Sequence, residues 1–253
     1  MLLIVSNLLI PSELWRADSG ARLGLVCGIT LAFALLGYLV AGVSRSGVVA
    51  GAVVCFALFA GAGPGAFLGL LAVFGVTWAA TRMGSVVRRK RGVVEQAGGR
   101  TASQVLANIG VAAACAAGYA VFREPWLLLG MAAALAEPAA DTVSSECGQA
   151  LGEPVFLITS FERVEAGTDG GVSLVGTVSG AVSSFLVGVV CVVGCGLPPN
   201  WMWVVTAAGI AGMVADSYLG ALLERRGKLG NDAVNFLGTL TAVLAAMGLV
   251  GRL

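Results

Sequence analysis

The chain is 253 residues long, with 58% hydrophobic residues, only 11% charged residues and a net charge of +1. Since soluble domains carry roughly a quarter charged residues, this composition excludes an ordinary soluble enzyme and indicates an integral membrane protein. The sequence contains no histidine, so the usual general base and the commonest transition-metal ligand are missing, and oxygen ligands are the metal chemistry that remains. The six cysteines include no C-x-x-C pair, which argues against a zinc site. We expect no nucleic-acid partner.

Apolar stretches long enough to span a bilayer, on the order of 20 residues each, recur along the whole chain. They predict one membrane domain, an all-α polytopic transmembrane bundle of seven to eight spans. The predicted spans lie at about residues 23–42, 46–62, 65–81, 104–121, 126–149, 171–196, 201–223 and 234–251. The second and third spans are separate because Gly63 and Pro64 form a strong helix break between them. Gly61, Gly65 and Gly69 recur every four residues, a spacing that lets helices approach closely.

The loop 82–103 is basic, and most Lys and Arg residues fall on the same side of the predicted membrane as this loop. The positive-inside rule therefore places the loops 82–103, 150–170 and 224–233 in the cytoplasm. The cluster at 88–91 is explained equally well by topology combined with attraction to anionic headgroups and by a functional role. Gly98, Gly99 and Arg100 differ, because they precede a helix that begins near Ser103. A flexible loop that enters a helix beside an arginine suits a phosphate, and Asn108 follows on this helix.

A pattern occurs twice in the C-terminal half, at about 126–196 and 201–251, each time where an apolar helix meets the membrane surface. Each copy has an Asp inside an apolar helix (Asp141, Asp216), a polar loop, and a second Asp just before the next apolar helix (Asp169, Asp232). This predicts a parallel duplication of a helix–loop–helix unit. Four acids placed in this way are costly in a membrane, so they indicate a cation or phosphate site.

The two intramembrane acids are predicted at matched depth. Asp141 lies about 13 Å from the cytoplasmic end of its helix, and Asp216 has a similar depth on a helix of the same direction. Glu137, Asp141, Ser144, Ser145 and Gly148 share one helix face, whereas Glu146 lies off that face unless the helix breaks. A buried acid of this kind can also be neutralised by a proton, or paired with an arginine as a structural lock.

The two loops end at apolar helices, whose first backbone amides suit phosphate oxygens. Asp169 and Asp232 are equally well explained as helix caps. Capping does not account for Asp141 and Asp216, whereas carboxylates for Mg²⁺ combined with amides for phosphate account for all four acids. Mg²⁺ typically takes one or two carboxylates, and phosphates and waters complete its shell.

These motifs, in this order, resemble those of an integral membrane family that includes plant phytyl-phosphate kinase. The motifs are Gly98-Gly99-Arg100 with Gln104 to Asn108, Ala140-Asp141-Thr142 with Ser145 to Gly148, Gly167 to Ser173, Asp216-Ser217 with Leu219 to Ala221, and Val234 to Leu237. The resemblance runs from about residue 45 to the end. Cys147 stands where an aliphatic residue is expected, and Gly238 where a serine is expected. The resemblance implies a kinase of the CTP-dependent type that converts a prenyl monophosphate to its diphosphate.

We therefore predict a Mg²⁺-dependent membrane kinase that transfers the γ-phosphoryl group of a nucleoside triphosphate, CTP favoured, to phytyl or geranylgeranyl phosphate. The predicted catalytic acids and metal ligands are Asp141, Asp169, Asp216 and Asp232, with Glu146 as a further metal ligand. The predicted substrate and phosphate contacts are Gly98, Gly99, Arg100, Asn108, Thr168, Gly170, Gly171, Ser173, Ser217, Lys228, Asn231 and Asn235.

Two other functions stay open at this point. An ion-coupled transporter also uses duplicated helix pairs and intramembrane acids. The repeat here is parallel rather than inverted, and the acids lie toward one side, so we rank the transporter second. A lipid-binding or scaffold protein ranks third. The expected partners are the lipid bilayer, a prenyl monophosphate and a nucleoside triphosphate, and homo-oligomerisation is open.

Overall fold

The fold is a bundle of long apolar helices, seen in a computed structural model that describes residues 19–40, 43–90, 99–151 and 154–251. The helices are α1 (Ser19–Leu39), α2 (Arg45–Lys90), α3 (Ala102–Phe122), α4 (Pro125–Ala150), α5 (Leu174–Gly194), α6 (Trp201–Leu219) and α7 (Asn231–Val250). A π-helical turn, Gly220–Glu224, follows α6 directly. In this described part, seven helices are long and apolar enough to cross a membrane. The predicted helical membrane bundle is therefore confirmed.

Helix α2 contains two arms that reverse direction at Gly63. The backbone of Gly63 has φ 82° and ψ −169°, a conformation that is open almost only to glycine. The rings of Phe59 and Phe67 stack across this point with their centroids 5.0 Å apart. In one straight helix these two residues would be separated by about 12 Å along the axis, so the arms fold back on each other. The predicted separation of the second and third spans is correct.

The glycines around this reversal allow close helix contacts. A Cβ at Gly65 would overlap the backbone of Gly194 on α5, and a Cβ at Gly61 would lie 2.5 Å from the carbonyl oxygen of Ala116 on α3. Both partners lie near the ends of their helices. The reversal of α2 therefore lies at one end of the bundle, and Arg45 and Arg100 lie at the other, which we call the motif end.

Helix α4 is the central helix and packs against α2, α3, α5, α6 and α7. Its first half is a run of small and apolar residues, and residues 127–140 are all buried. Small side chains let the surrounding helices approach this one closely. As a result, Glu137, the charged side chain within this run, is held inside the protein rather than against lipid.

The loop after α4 contains a small antiparallel sheet that the sequence did not predict. Its strands are β1 (Val155–Leu157), β2 (Arg163–Val164) and β3 (Gly171–Val172), in the order β2-β1-β3. The predicted start of the next helix at residue 171 is wrong, because Gly171 pairs with Leu157. Helix α5 begins at Leu174, and Ser173 caps it by accepting a hydrogen bond from the Gly176 amide at 3.1 Å.

The basic loop predicted at 82–103 is shorter than expected, because α2 continues to Lys90. Arginine and lysine are strong helix formers, so the basic run extends the helix rather than ending it. Gly98 and the rest of residues 91–98 lie outside the described residues.

Candidate functional site

A polar cavity of about 190 Å³ opens among the helix ends at the motif end. Its lining combines one arginine, two carboxylates, and amide and hydroxyl side chains from α3, α4 and α7. The lining residues are Arg100, Gln104, Asn108, Asp141, Thr142, Ser145, Glu146, Asn231 and Asn235. Six of the predicted site residues line this cavity: Arg100, Asn108, Asp141, Glu146, Asn231 and Asn235.

Hydrogen bonds fix both the backbone and the side chain of Arg100. Its carbonyl oxygen accepts a 3.0 Å hydrogen bond from the Ser44 amide, in a short parallel bridge between Val43 and Arg100. Its guanidinium Nη2 donates to Thr142 Oγ1 at 3.2 Å. Burial lowers the pKa of this guanidinium, and the nearby carboxylates of Asp141 and Glu146 oppose the shift. Arginine remains protonated in proteins, so Arg100 supplies a fixed positive charge to the cavity.

The helix that follows Arg100 begins with a complete capping box. Thr101 accepts a hydrogen bond from the Gln104 amide, and the Gln104 side chain accepts one from the Thr101 amide at 2.9 Å. Because these amides already have partners, the predicted phosphate contact at this helix start would depend on the Arg100 side chain. Asn108 lies one turn farther along and is buried, with its Nδ2 donating to the Gln104 carbonyl at 2.8 Å.

The cavity uses only part of the α4 face that periodicity suggested. Asp141 and Ser145 of that face line it, together with Thr142 and Glu146. Periodicity alone did not place Glu146, which lines the cavity although α4 continues unbroken to Ala150. The Ser144 side of the helix instead packs on α5, where a Cβ at Gly176 would lie 2.7 Å from the Ser144 carbonyl oxygen.

A second group of acids lies deeper, where α4, α6 and α7 meet. A Cβ placed on Gly238 would lie 2.7 Å from Glu137 Oε1 and 3.4 Å from Asp216 Oδ2, so the two carboxylates face each other across this glycine. Glu137 is only 1% exposed, and Asp216 Oδ2 is buried without a hydrogen-bond partner. Glu137 was not among the predicted site residues. The available signal was a glutamate on the same helix face as Asp141, inside an otherwise apolar run.

Asp169 lies in the exposed turn between β2 and β3, beside the π-helical turn. The turn residue Gly170 packs directly on Ala221, and its amide nitrogen lies 3.0 Å from a Cβ placed on Gly220. Asp169 is also an electrostatic neighbour of Glu224, the last residue of the π-helical turn. This contact links the first repeat's loop to the second repeat's helix, and it adds Glu224 as an acid that sequence reasoning did not include.

Several predicted phosphate contacts lie elsewhere. Ser173 is occupied as the cap of α5, and Gly171 is in β3. The Ser217 hydroxyl donates to the Met213 carbonyl of its own helix at 3.2 Å. Asp232 lies in the first turn of α7, and the residue that caps this helix is Gly230. The alternative explanation of Asp169 and Asp232 as helix caps is therefore not supported.

Two further predicted contacts also lie outside the polar cavity. Lys228 is exposed in the turn after the π-helical segment. Thr168 lines a shallow depression with Arg163 and Arg225, and its hydroxyl donates to the Glu165 carbonyl at 2.7 Å. The polar cavity therefore receives its positive charge from Arg100, the one basic residue among its described lining.

The acids do not form a closed metal cage, since no three of them in the described part of the chain lie close enough to hold one ion. Arg100 nevertheless has two carboxylates, those of Asp141 and Glu146, as electrostatic neighbours, and Glu137 and Asp216 add two more acids deeper in the bundle, so negative charge is in excess. Buried carboxylates require protons or cations as partners. The arrangement fits an ion held by one or two carboxylates and completed by phosphate and water oxygens, as Mg²⁺ commonly is.

With this geometry described, the comparison with known proteins is informative. The family described as Integral membrane protein DUF92 matches residues 28–243. The chain belongs to this family. The match includes every residue that lines the polar cavity, and it confirms the family identified from the motifs, the one that includes plant phytyl-phosphate kinase.

Three curated relatives extend the comparison. An uncharacterized membrane protein of Methanocaldococcus jannaschii is 39% identical over 61% of this chain and 62% of its own length. The chloroplastic protein VTE6 of Arabidopsis thaliana is 33% identical over 81% of this chain and 66% of its own. An uncharacterized membrane protein of Synechocystis is 33% identical over 72% of this chain and 73% of its own. The chain thus spans less than two thirds of the length of the archaeal and plant relatives. No solved structure matches it.

Proposed function

We propose that this DUF92 protein is a membrane kinase that transfers the γ-phosphoryl group of a nucleoside triphosphate to a prenyl monophosphate. The observation that carries the proposal is the polar cavity, which places a half-buried arginine among carboxylates and amides at the motif end of the helices. Phosphoryl transfer depends on positioning and charge neutralisation more than on covalent catalysis. A cavity with no histidine is adequate for this chemistry.

In the proposed reaction, Arg100 binds the monophosphate of the lipid, because a guanidinium pairs well with phosphate oxygens. Asn231 and Asn235 lie one helical turn apart and orient the phosphate oxygens from α7. One phosphate oxygen of the lipid attacks the γ-phosphorus and forms the new P–O bond. The bond from that phosphorus to the bridging oxygen breaks, and the nucleoside diphosphate leaves with this oxygen. A monophosphate is already ionised, so the attacking group needs little help from a base.

A magnesium ion held by Asp141, with Asp216 as the second carboxylate, would supply neutralising charge to the phosphates when bound. The unpartnered Oδ2 of Asp216 supports this assignment, as does the surplus of acids over Arg100. Asp169, in the β2–β3 turn, and Asp232, in the first turn of α7, lie at the same end of the bundle, where the nucleotide would approach. CTP is the favoured nucleotide because the family resemblance implies it.

The proposal is tested with purified protein in detergent or nanodiscs. Labelled γ-phosphate is followed from CTP, ATP, GTP and UTP to phytyl and geranylgeranyl monophosphates in the presence of Mg²⁺. The proposal expects a labelled prenyl diphosphate from wild type and none from Asp141→Asn. Glu124→Gln is the matched control, because it also removes one carboxylate, but at the start of α4, away from the motif end.

The rival function is an ion-coupled transporter, and the buried acids Glu137 and Asp216 are the observation that favours it. If folded wild type forms no product with any nucleotide and lipid, the kinase proposal fails. Proton- or Na⁺-driven uptake into proteoliposomes, lost in Glu137→Gln, would then support the transporter.

A further inference from the structure

A second cavity, of about 340 Å³, adjoins the polar cavity, and Arg100 and Asn108 line both. It lies between α1, the two arms of α2 and α3. Its walls are mostly apolar, with Phe33, Gly51, Val54, Leu70, Val73 and Phe74 among them. Its volume falls within the roughly 300–1,000 Å³ of small-molecule sites.

This cavity is polar at one end and apolar at the other. Arg82 and Ser85 line it at the motif end, and Leu70 lines it toward the reversal of α2. From Ser85 to Leu70 the second arm of α2 extends about 22 Å along its axis. Thr77 lies part-way along, but its hydroxyl donates to the Val73 carbonyl at 2.8 Å, so this stretch of wall stays effectively apolar.

The cavity is bordered by exposed residues near the motif end. Trp78, Thr81 and Arg82 line the cavity and are also exposed on the outside of α2. The Arg82 guanidinium carbon lies 5.7 Å from the centre of the Trp78 ring. Tryptophan and arginine are side chains that favour the boundary between lipid and water. An amphiphile in the bilayer can therefore enter here laterally, with its charged group at the level of Arg82.

We propose that this space, the tail cavity, holds the hydrocarbon chain of the lipid substrate. Gly51, together with the lining residues that lie farther from Arg100, sets the length of the chain that the protein accepts. The inference rests on the proposed function, which places the lipid phosphate at Arg100. The phosphate and the chain of one molecule are covalently joined, so their two sites must share a boundary. Arg100 and Asn108 form that boundary.

Gly51 offers a direct test. It lines the tail cavity, and a Cβ built on it meets no other atom within 4 Å, so a larger side chain would fill the cavity without disturbing the packing. Gly51→Leu is expected to lower the kcat/KM for geranylgeranyl monophosphate, relative to geranyl monophosphate, by about tenfold or more. Gly75→Leu is the matched control, because Gly75 lies on the same helix with equally open space but outside the cavity. It should keep the wild-type ratio.

A second variant tests the opposite direction. Phe74→Ala removes a ring from the cavity wall, where it now packs against Phe33 with centroids 5.4 Å apart. This variant is expected to raise the kcat/KM for lipid phosphates with longer or bulkier chains relative to that for shorter ones. An unchanged chain-length ratio in both Gly51→Leu and Phe74→Ala would overturn the inference.

Binding without nucleotide separates this inference from the proposed function. A geranylgeranyl monophosphate with a photoreactive diazirine in its chain should label peptides from α1 and α2 in wild type and Gly75→Leu, with at least about tenfold less labelling in Gly51→Leu. Such labelling without any phosphoryl transfer keeps the tail cavity and rejects the kinase. Transfer combined with labelling elsewhere keeps the kinase and rejects the tail cavity. Neither transfer nor labelling rejects both.

Discussion

Arg100 and Thr142 are joined by a hydrogen bond of 3.2 Å from the guanidinium Nη2 to the threonine hydroxyl, although 42 residues separate them in the sequence. This bond connects the loop before α3 to the face of α4 that lines the polar cavity. It fixes the one cation of the polar cavity beside Asp141. The orientation of this guanidinium, rather than its charge alone, is therefore expected to matter.

Replacement of Arg100 tests this expectation. Arg100→Ala should lower phosphoryl transfer by roughly 100-fold or more, the usual loss when one group that stabilises a transition state is removed. Arg100→Lys should show an intermediate loss, since lysine keeps the charge but not the planar, forked donor geometry. The measurements are kcat and KM for the lipid phosphate. Arg123→Lys, at the far end of α3, is the control. Full activity of Arg100→Lys would contradict a role for the forked donor geometry of the guanidinium.

The two intramembrane aspartates are expected to be essential for transfer but not for folding. Asp141→Asn and Asp216→Asn should each abolish transfer, while expression and the thermal midpoint are retained. The physical reason is that a neutral amide is easier to bury than a carboxylate, and Asp216 Oδ2 now lacks a partner. Glu165→Gln, an exposed acid in the β2–β3 loop, serves as the control. Wild-type turnover in both aspartate variants would contradict the proposal that Asp141 and Asp216 hold the magnesium ion.

The helical architecture could be predicted from the sequence because the local composition of the chain identifies its membrane spans. The reversal of α2 was predictable because Gly63 and Pro64 interrupt an apolar run. Asp141 and Asp216 stood out as candidate site residues because acids are rare inside such runs. These features depend on a few neighbouring residues, so they can be identified without knowledge of the tertiary structure.

The side on which each acid points was not predictable in the same way. The rotation of α4 about its axis is set by packing on five other helices, and that rotation brings Glu146 into the cavity and turns Ser144 toward α5. The approach of Glu137 to Asp216 depends on Gly238, a residue about one hundred positions away from Glu137. The strand at Gly171–Val172 exists only because it pairs with β1. Non-local contacts of this kind leave little trace in one sequence.

Gly238 is predicted to be intolerant of any side chain. Gly238→Ala would place its Cβ 2.7 Å from Glu137 Oε1, and Glu137 is too deeply buried to swing into solvent. We expect a loss of about 1–3 kcal/mol in the free energy of unfolding, typical of overpacking, together with a loss of transfer. Gly248→Ala on the same helix is the matched control, because a Cβ there meets no atom within 4 Å. Thermal unfolding in detergent measures the difference, and equal midpoints for the two variants would contradict this packing.

The reversal of α2 leads to a separate stability prediction. Gly63→Ala would force an L-residue into φ 82° and ψ −169°, a strain of order 1–3 kcal/mol. Gly75→Ala, in a regular and exposed part of the same helix, should instead stabilise the protein by up to about 1 kcal/mol, because alanine favours helix more than glycine does. Unfolding midpoints of the two variants should move in opposite directions. A Gly63→Ala variant as stable as wild type would mean that the arms are joined differently.

Magnesium is expected to bind with the nucleotide rather than before it. In the described part of the chain no three acids form a closed cage, so the protein alone offers too few ligands for tight binding. Chelation by EDTA should abolish phosphoryl transfer yet leave the thermal midpoint of the nucleotide-free protein unchanged.

Nucleotide and Mg²⁺ together should raise the midpoint, since a ligand at about 100 times its Kd contributes about 2.7 kcal/mol to the free energy of unfolding. The rise should disappear in Asp141→Asn and persist in Glu124→Gln. A large stabilisation by Mg²⁺ alone would instead indicate a preformed metal site.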